Sequence, residues 1–251
     1  MQYNVEICAN SAESAANAQL GGACRVELCA GMPEGGTTPS YGEIWAARRL
    51  LNVTRLNVII RPRSGDFMYS PLELDIMEHD ISMAKMAGAD GVVFGCLDAD
   101  GHVDMSAMQR LMTAASGISV TFHRAFDMCA DPFEALEQIV SLGCDRILTS
   151  GQQPTAAEGT ALLRELVSKA AGRISIMPGC GITPQNIATI ARDSGAAEFH
   201  LSARTTVPSG MKFRNQQVSM GGTVTIDEYS RSITSTETVR AALQQLQALE
   251  N

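Results

Sequence analysis

The chain has 251 residues, of which 45% are hydrophobic and 18% charged, ample material for a sizeable core. Its formal net charge of −8 argues against a nucleic-acid or anionic-membrane surface, either of which needs a basic patch. No apolar run approaches the ~18 residues of a membrane span, no signal peptide precedes Gln2-Tyr3-Asn4-Val5, and seven cysteines read as reduced thiols of a cytoplasmic protein.

Short β-rich runs recur along the chain: Tyr3–Cys8, Arg25–Cys29, Asn57–Pro62, Gly91–Cys96, Ser119–His123, Arg146–Ser150, Ile174–Pro178 and Glu198–Ser202. Their starts lie about 22 to 34 residues apart, the length of one strand plus one crossover helix. Most are nearly continuous apolar runs, as parallel strands buried on both faces require. Ser70-Pro-Leu-Glu73 and Asp131-Pro-Phe-Glu134 each combine an N-cap, a proline at the first helical position and a glutamate at the third. Thr183-Pro-Gln-Asn186 is a weaker version. Glycines at 21–22, 88, 143 and 195 stop helices just before strands. The helix predicted from Pro71 to Ala87 carries an apolar stripe at Leu72, Ile76, Met83 and Ala87. The pattern predicts an α/β fold with one domain over residues 1–251, a single-domain (β/α)8 TIM barrel, with an open doubly wound sheet as the alternative.

Two connections are long. Gly31–Ser40 is glycine-rich, and the segment at about 204–229 is a candidate lid. Both follow strands on the side where barrel loops build sites.

The strand ends are polar. In a closed barrel they bring Arg61, Arg63, Arg124, His123, Asp127, Ser202 and His200 to one rim, with Lys212 in the long segment. This reads as an anion-binding mouth, or as an ion-pair network with Glu6, Glu27 and Asp127. The turn Gly179-Cys-Gly181 adds backbone N–H groups at the position where barrels often hold phosphate. His123 and His200 are candidate general acid–bases, because imidazole titrates near working pH, and Glu27 or Asp127 could orient them.

Glu6-Ile-Cys8 and Glu27-Leu-Cys29 repeat one pattern on two strands that should be neighbours. Cys8 and Cys29 could stand side by side as a soft pair suited to Cu(I), with Met32 or a histidine as a third donor, or they pack as small apolar groups.

Several motifs resemble the CutC family of cytosolic copper homeostasis proteins: Gly22-Ala-Cys-Arg-Val-Glu-Leu-Cys29, Glu34-Gly-Gly-Thr-Thr-Pro-Ser40, Ile60-Arg-Pro-Arg-Ser-Gly-Asp-Phe67, Thr121-Phe-His-Arg-Ala-Phe-Asp127, Leu148-Thr-Ser-Gly151 and Ser209-Gly-Met-Lys-Phe-Arg-Asn215. The resemblance runs over essentially the whole chain. It implies a TIM barrel, a role in copper handling with Cys8 and Cys29 considered for Cu(I), and a homo-oligomer, a dimer first. Cys24 stands where the family usually has an acidic residue, and Cys180 where it has a glycine. The expected ligand is therefore a copper ion held by the cysteine pair; the alternative is an enzyme acting on a small anionic, phosphorylated metabolite at the barrel mouth.

Overall fold

Capping side chains start the helices where the sequence places them. Ser70 and Glu73 close a complete capping box on the helix Pro71–Met86, and the Asp131 carboxylate accepts the Phe133 and Glu134 N–H groups ahead of Pro132–Leu142. Gly22 and Gly143 end helices in the left-handed conformation, at φ 97° and 81°, turning the chain into the next strand. The computed structural model describes residues 2–221 and 226–250; residues 222–225, part of the proposed lid, lie outside the described residues.

The elements alternate. They are β1 (Asn4–Ala9), α1 (Ala12–Gly21), β2 (Arg25–Leu28), α2 (Tyr41–Leu50), β3 (Arg55–Ile59), α3 (Pro71–Met86), β4 (Gly91–Phe94) and α4 (Met105–Ala114). Then follow β5 (Ser119–Phe122), α5 (Pro132–Leu142), β6 (Arg146–Thr149), α6 (Thr160–Ala170), β7 (Ser175–Pro178), α7 (Ile187–Ser194) and β8 (Glu198–Leu201). A hairpin of β9 (Arg204–Pro208) and β10 (Ser230–Thr234) precedes α8 (Thr236–Gln247). The main sheet runs β7-β6-β5-β4-β3-β2-β1-β8 with parallel neighbours throughout. Because β1 is flanked by both β2 and β8, the last strand returns to the first, and the sheet is a nearly closed (β/α)8 barrel. An open doubly wound sheet would not bring those strands together. Among the described residues no helix is long and apolar enough to cross a membrane.

Each strand alternates between two buried environments. Val5 and Ile7, Val26 and Leu28, Leu56 and Val58, Val92 and Phe94, and Phe199 and Leu201 belong to the apolar core between barrel and helices. The residues between them face the barrel interior, and many are polar: Glu6, Arg25, Glu27, Asn57, Thr121 and His200 are all buried. Apolar runs predict burial on both faces, but the inner face here is lined with ionisable groups.

Three local expectations change. On α3 the buried residues are Met77, Ile81 and Ala84, while Leu72 and Ile76 are 68% and 42% exposed. Two apolar stripes run along this helix, and the one through Met77, Ile81 and Ala84 packs against the barrel, while the predicted stripe is buried only at Ala87, the C-cap residue. The seventh helix begins at Ile187, because the Asn186 side chain accepts the Thr183 N–H (2.8 Å) and donates to the Gly181 carbonyl (2.8 Å), holding Thr183–Asn186 as a turn. The start of the 204–229 segment forms β9, which pairs with the strand just after the segment in the β9–β10 hairpin, Arg204 opposite Thr234. Asn10 and Asn17 bind that hairpin through the Ser232 and Thr234 carbonyls at 2.9 and 3.1 Å.

Candidate functional site at the barrel mouth

The register between β1 and β2 pairs Glu6 with Arg25 and Cys8 with Glu27. The two Glu-x-Cys patterns are thus offset by one rung. Cys29, one rung further along, brings its Sγ to 3.8 Å from that of Cys8. Ile59 and Met32 pack against the two thiols.

Below them a chain of buried ion pairs fills the barrel. Arg146 Nε donates to Glu198 (2.8 Å), Arg25 bridges Glu198 (2.5 Å) and Glu6, and Glu6 Oε1 lies 2.7 Å from His200 Nδ1. The other ring nitrogen of His200 lies 3.6 Å from Glu27 Oε2. Cys8, Glu27 and His200 present donor atoms within 4.8 Å of one another. His200 thus joins the ion network to the thiols.

The electrostatics follow from these neighbours. Burial pushes Glu6 up, but Arg25 and then His200 outweigh it and hold the carboxyl at about 2. Burial dominates at Glu27 and raises it to about 8 against the pull of His200, so Glu27 carries a proton at neutral pH. Burial opposes charge on His200, yet the bonds to Cys8 and Glu6, with Glu27 nearby, raise it well above the usual imidazole range. The Cys29 thiol, then His200 and Arg204, lower Cys8 despite its burial, and Arg204 Nη2 lies 3.9 Å from its sulfur. Cys29 is raised by Cys8 and by burial. Cys8 is thus the more acidic of the two thiols, with the positive charge of His200 favoured beside it, and Cys29 the less acidic neighbour.

A cavity of about 120 Å³ opens over this group, lined by Cys8, Glu27, Cys29, Arg61, His123 and His200 among others. A second space of about 400 Å³ shares Cys8, Arg124 and His200 with it and reaches Gly181, Ser202 and Arg204. Arg61 is buried; its Nη1 donates to the Glu34 and Gly36 carbonyls and its Nη2 to Gly65, all at 2.9 Å. His123 is also buried, and burial followed by Arg61 lowers it to about 3. Its Nδ1 accepts the Ala125 N–H at 3.3 Å, and a side chain at Gly95 would place a Cβ 2.9 Å from that nitrogen.

The remaining predicted residues lie apart from this cavity or are already engaged. Arg63 is paired with Asp66 (2.9 Å) and Glu73 (2.5 Å), outside the cavity lining. Arg124 borders both spaces but is tied to Asp127 at 2.7 Å, and Asp127 also accepts from Thr149 and Ser150 instead of touching a histidine. The Gly179 N–H donates to Thr149 O (2.9 Å), and Lys212 is exposed on the arm. Sequence reasoning missed Phe67, Leu148 and Arg204 in the lining; the anchoring of His200 by Glu6 belongs to the ion-pair network it kept as the alternative. The shared parity of Glu6 and Cys8 on β1 was the available signal for that anchor.

The CutC family model matches residues 3–205. The chain belongs to the CutC family. A CutC family protein of Bacteroides thetaiotaomicron is 60% identical over 247 residues, 98% of this chain and 99% of its own. The human copper homeostasis protein cutC homolog is 50% identical over 238 residues, 95% of this chain and 87% of its own. A solved CutC structure from Streptococcus agalactiae superposes with a TM-score of 0.77 at 36% identity, covering 80% of this chain and 99% of that one. The thiamine phosphate pyrophosphorylase of Pyrococcus furiosus, at 14% identity and a TM-score of 0.62, shares the fold alone.

Proposed function

We propose that this CutC family member acts in copper homeostasis in the cytoplasm, holding Cu(I) as cargo between Cys8 and Cys29. The observation that carries the reading is the 3.8 Å separation of two buried sulfurs at the barrel mouth. Two bonds of the length thiolates make to zinc, ~2.3 Å each, span up to roughly 4.6 Å, so one ion can reach both sulfurs. The donor set suits the ion. Two sulfurs with the Met32 thioether packed beside them are soft ligands, and Ile59 forms an apolar wall next to them. His200 and Arg204 supply positive charge beside Cys8 and favour its ligating thiolate form. All seven cysteines are free thiols, in keeping with a reducing compartment.

Titrating the reduced protein with Cu(I) against a competing chelator tests this. Loss of an outer-shell partner typically costs 10–100-fold in metal affinity, so Cys8→Ser and Cys29→Ser should each weaken binding by at least ~100-fold. Equal, weak binding by wild type and both variants removes the thiol pair from the function.

A second reading is favoured by a separate observation in the same cavity. His123 Nε2 and Arg61 Nε are buried without hydrogen-bond partners, which suits an enzyme taking a small anion at the mouth, with His200 and Glu27 as its proton-carrying pair. In this reading His123 donates a hydrogen bond and does not act as the general acid–base, because burial keeps its ring neutral. Thermal-shift screening of small anions tests it: a ligand at 100 times its Kd should stabilise by about 2.7 kcal/mol.

A further inference from the structure

We infer that the Arg61–His123 corner of the mouth is a binding subsite for the carboxylate of a small organic acid, and that it selects a monoanion over a phosphate dianion. The inference rests on the second reading above and narrows its substrate class.

Two donors carry it. Because His123 Nδ1 accepts the Ala125 N–H, the proton of the neutral ring sits on Nε2, and that N–H has no partner. Arg61 engages both of its terminal nitrogens with loop carbonyls, and its buried Nε–H has no partner. Both side chains lie against one ring: the Arg61 guanidinium carbon is 5.1 Å from the Phe67 centroid, and the His123 ring meets it edge-on at 4.9 Å. Buried donors left unsatisfied in a native structure need a ligand, a water or another explanation. Arg61 and His123 both line a cavity of about 120 Å³, which has room for several waters or for a short acid.

Charge, more than size, sets the selectivity. Arg124 is answered by Asp127 at 2.7 Å, and His200 by Glu6 at 2.7 Å and by Cys8. Arg204 faces the Cys8 sulfur, and Arg63 is paired outside the cavity. Arg61 has no carboxylate at ion-pair distance among the described residues; held by loop carbonyls and close to the neutral Tyr69 hydroxyl, it remains as one uncompensated positive charge at this corner, and burial keeps its histidine neighbour uncharged. One carboxylate balances that charge. A dianion would leave its second negative charge buried without a counterion.

The test uses reduced, copper-free protein at pH 7.5, so that it is independent of the thiol reading. Acetate, glycolate and inorganic phosphate are titrated calorimetrically, with the His123 ring nitrogens followed by NMR. The expected result is saturable carboxylate binding that shifts the Nε2 signal, with phosphate at least tenfold weaker. His123→Phe should weaken acetate about tenfold, and His123→Gln, which keeps an N–H donor, should restore part of the loss. The wild-type comparison stands even if a variant fails to fold. Phosphate binding more tightly than acetate at His123 overturns the carboxylate inference and leaves the anion reading in place. No shift with any of the three overturns both.

Discussion

At the floor of the barrel Arg25 meets Glu6 and Glu198, and Arg146 meets Glu198 and the Ser119 hydroxyl. At the mouth, beyond the ends of β3 and β5, Arg61 and His123 keep unsatisfied donors, and two sulfurs stand 3.8 Å apart beside the cavity. Both regions bury ionisable groups in one fold. A buried charge with every partner in place is architecture, because removing either side strands the other. Donors and thiols left open at the end of the strands where barrels carry out chemistry are held in place by that architecture and are available to a ligand. His200 belongs to both regions, with one nitrogen on Glu6 and the other toward Glu27.

Breaking the floor should have the largest effect. Glu6→Gln leaves Arg25 and His200 short of a buried countercharge and should cost about 3–5 kcal/mol of stability, read from urea unfolding. A loss under about 1 kcal/mol would mean that the floor is not the support for which the comparison takes it.

The mouth can be sharpened by pH. His123 is held at about 3 in the folded protein against an ordinary 6.5. Below pH 6.5 the unfolded chain binds a proton that the folded His123 refuses, so this group's contribution to stability falls with acidification, by up to about 1.4 kcal/mol per pH unit. Glu6, lowered from 4.5 to about 2, adds its own loss only below pH 4.5. Between pH 6.5 and 4.5 Glu27, raised from 4.5 to about 8, acts in the opposite sense and offsets His123, so His123→Phe should make stability rise on acidification relative to wild type, by up to about 1.4 kcal/mol per pH unit. Parallel profiles would show that the imidazole is not kept neutral.

The smallest effect belongs to the rim. Cys180 sits at φ 75°, a left-handed conformation that a Cβ disfavours. Cys180→Gly should stabilise by about 1 kcal/mol, measured as a shift in the denaturation midpoint with an unchanged slope. Destabilisation would show that the Cys180 thiol bond to the Pro154 carbonyl (3.2 Å) matters more than the strain.

Much of the fold was legible in the sequence. Strand spacing gave eight βα units, and Ser70, Asp131 and the stop glycines marked helix ends, because these signals are local. The proximity of Cys8 and Cys29 followed from period two on neighbouring strands. The one-rung offset between their motifs did not, since register depends on how the sheet shears as it closes. Arg61 and Arg63 looked equivalent, but both lie beyond the end of β3, where period two no longer holds; one turns inward and the other pairs with Glu73. The β9–β10 hairpin was hidden because Arg204–Pro208 is exposed and polar, and its partner begins more than 20 residues later, at Ser230.

Gly95 contributes no functional group, yet it controls one. An alanine there would push its methyl into both the imidazole of His123 and the ring of Phe122, each 2.9 Å away. Any larger residue would evict the histidine from its place over Phe67 or force β4 and β5 apart. This vacancy is the mould in which the imidazole is cast, and redesign of the mouth has to begin by leaving position 95 empty.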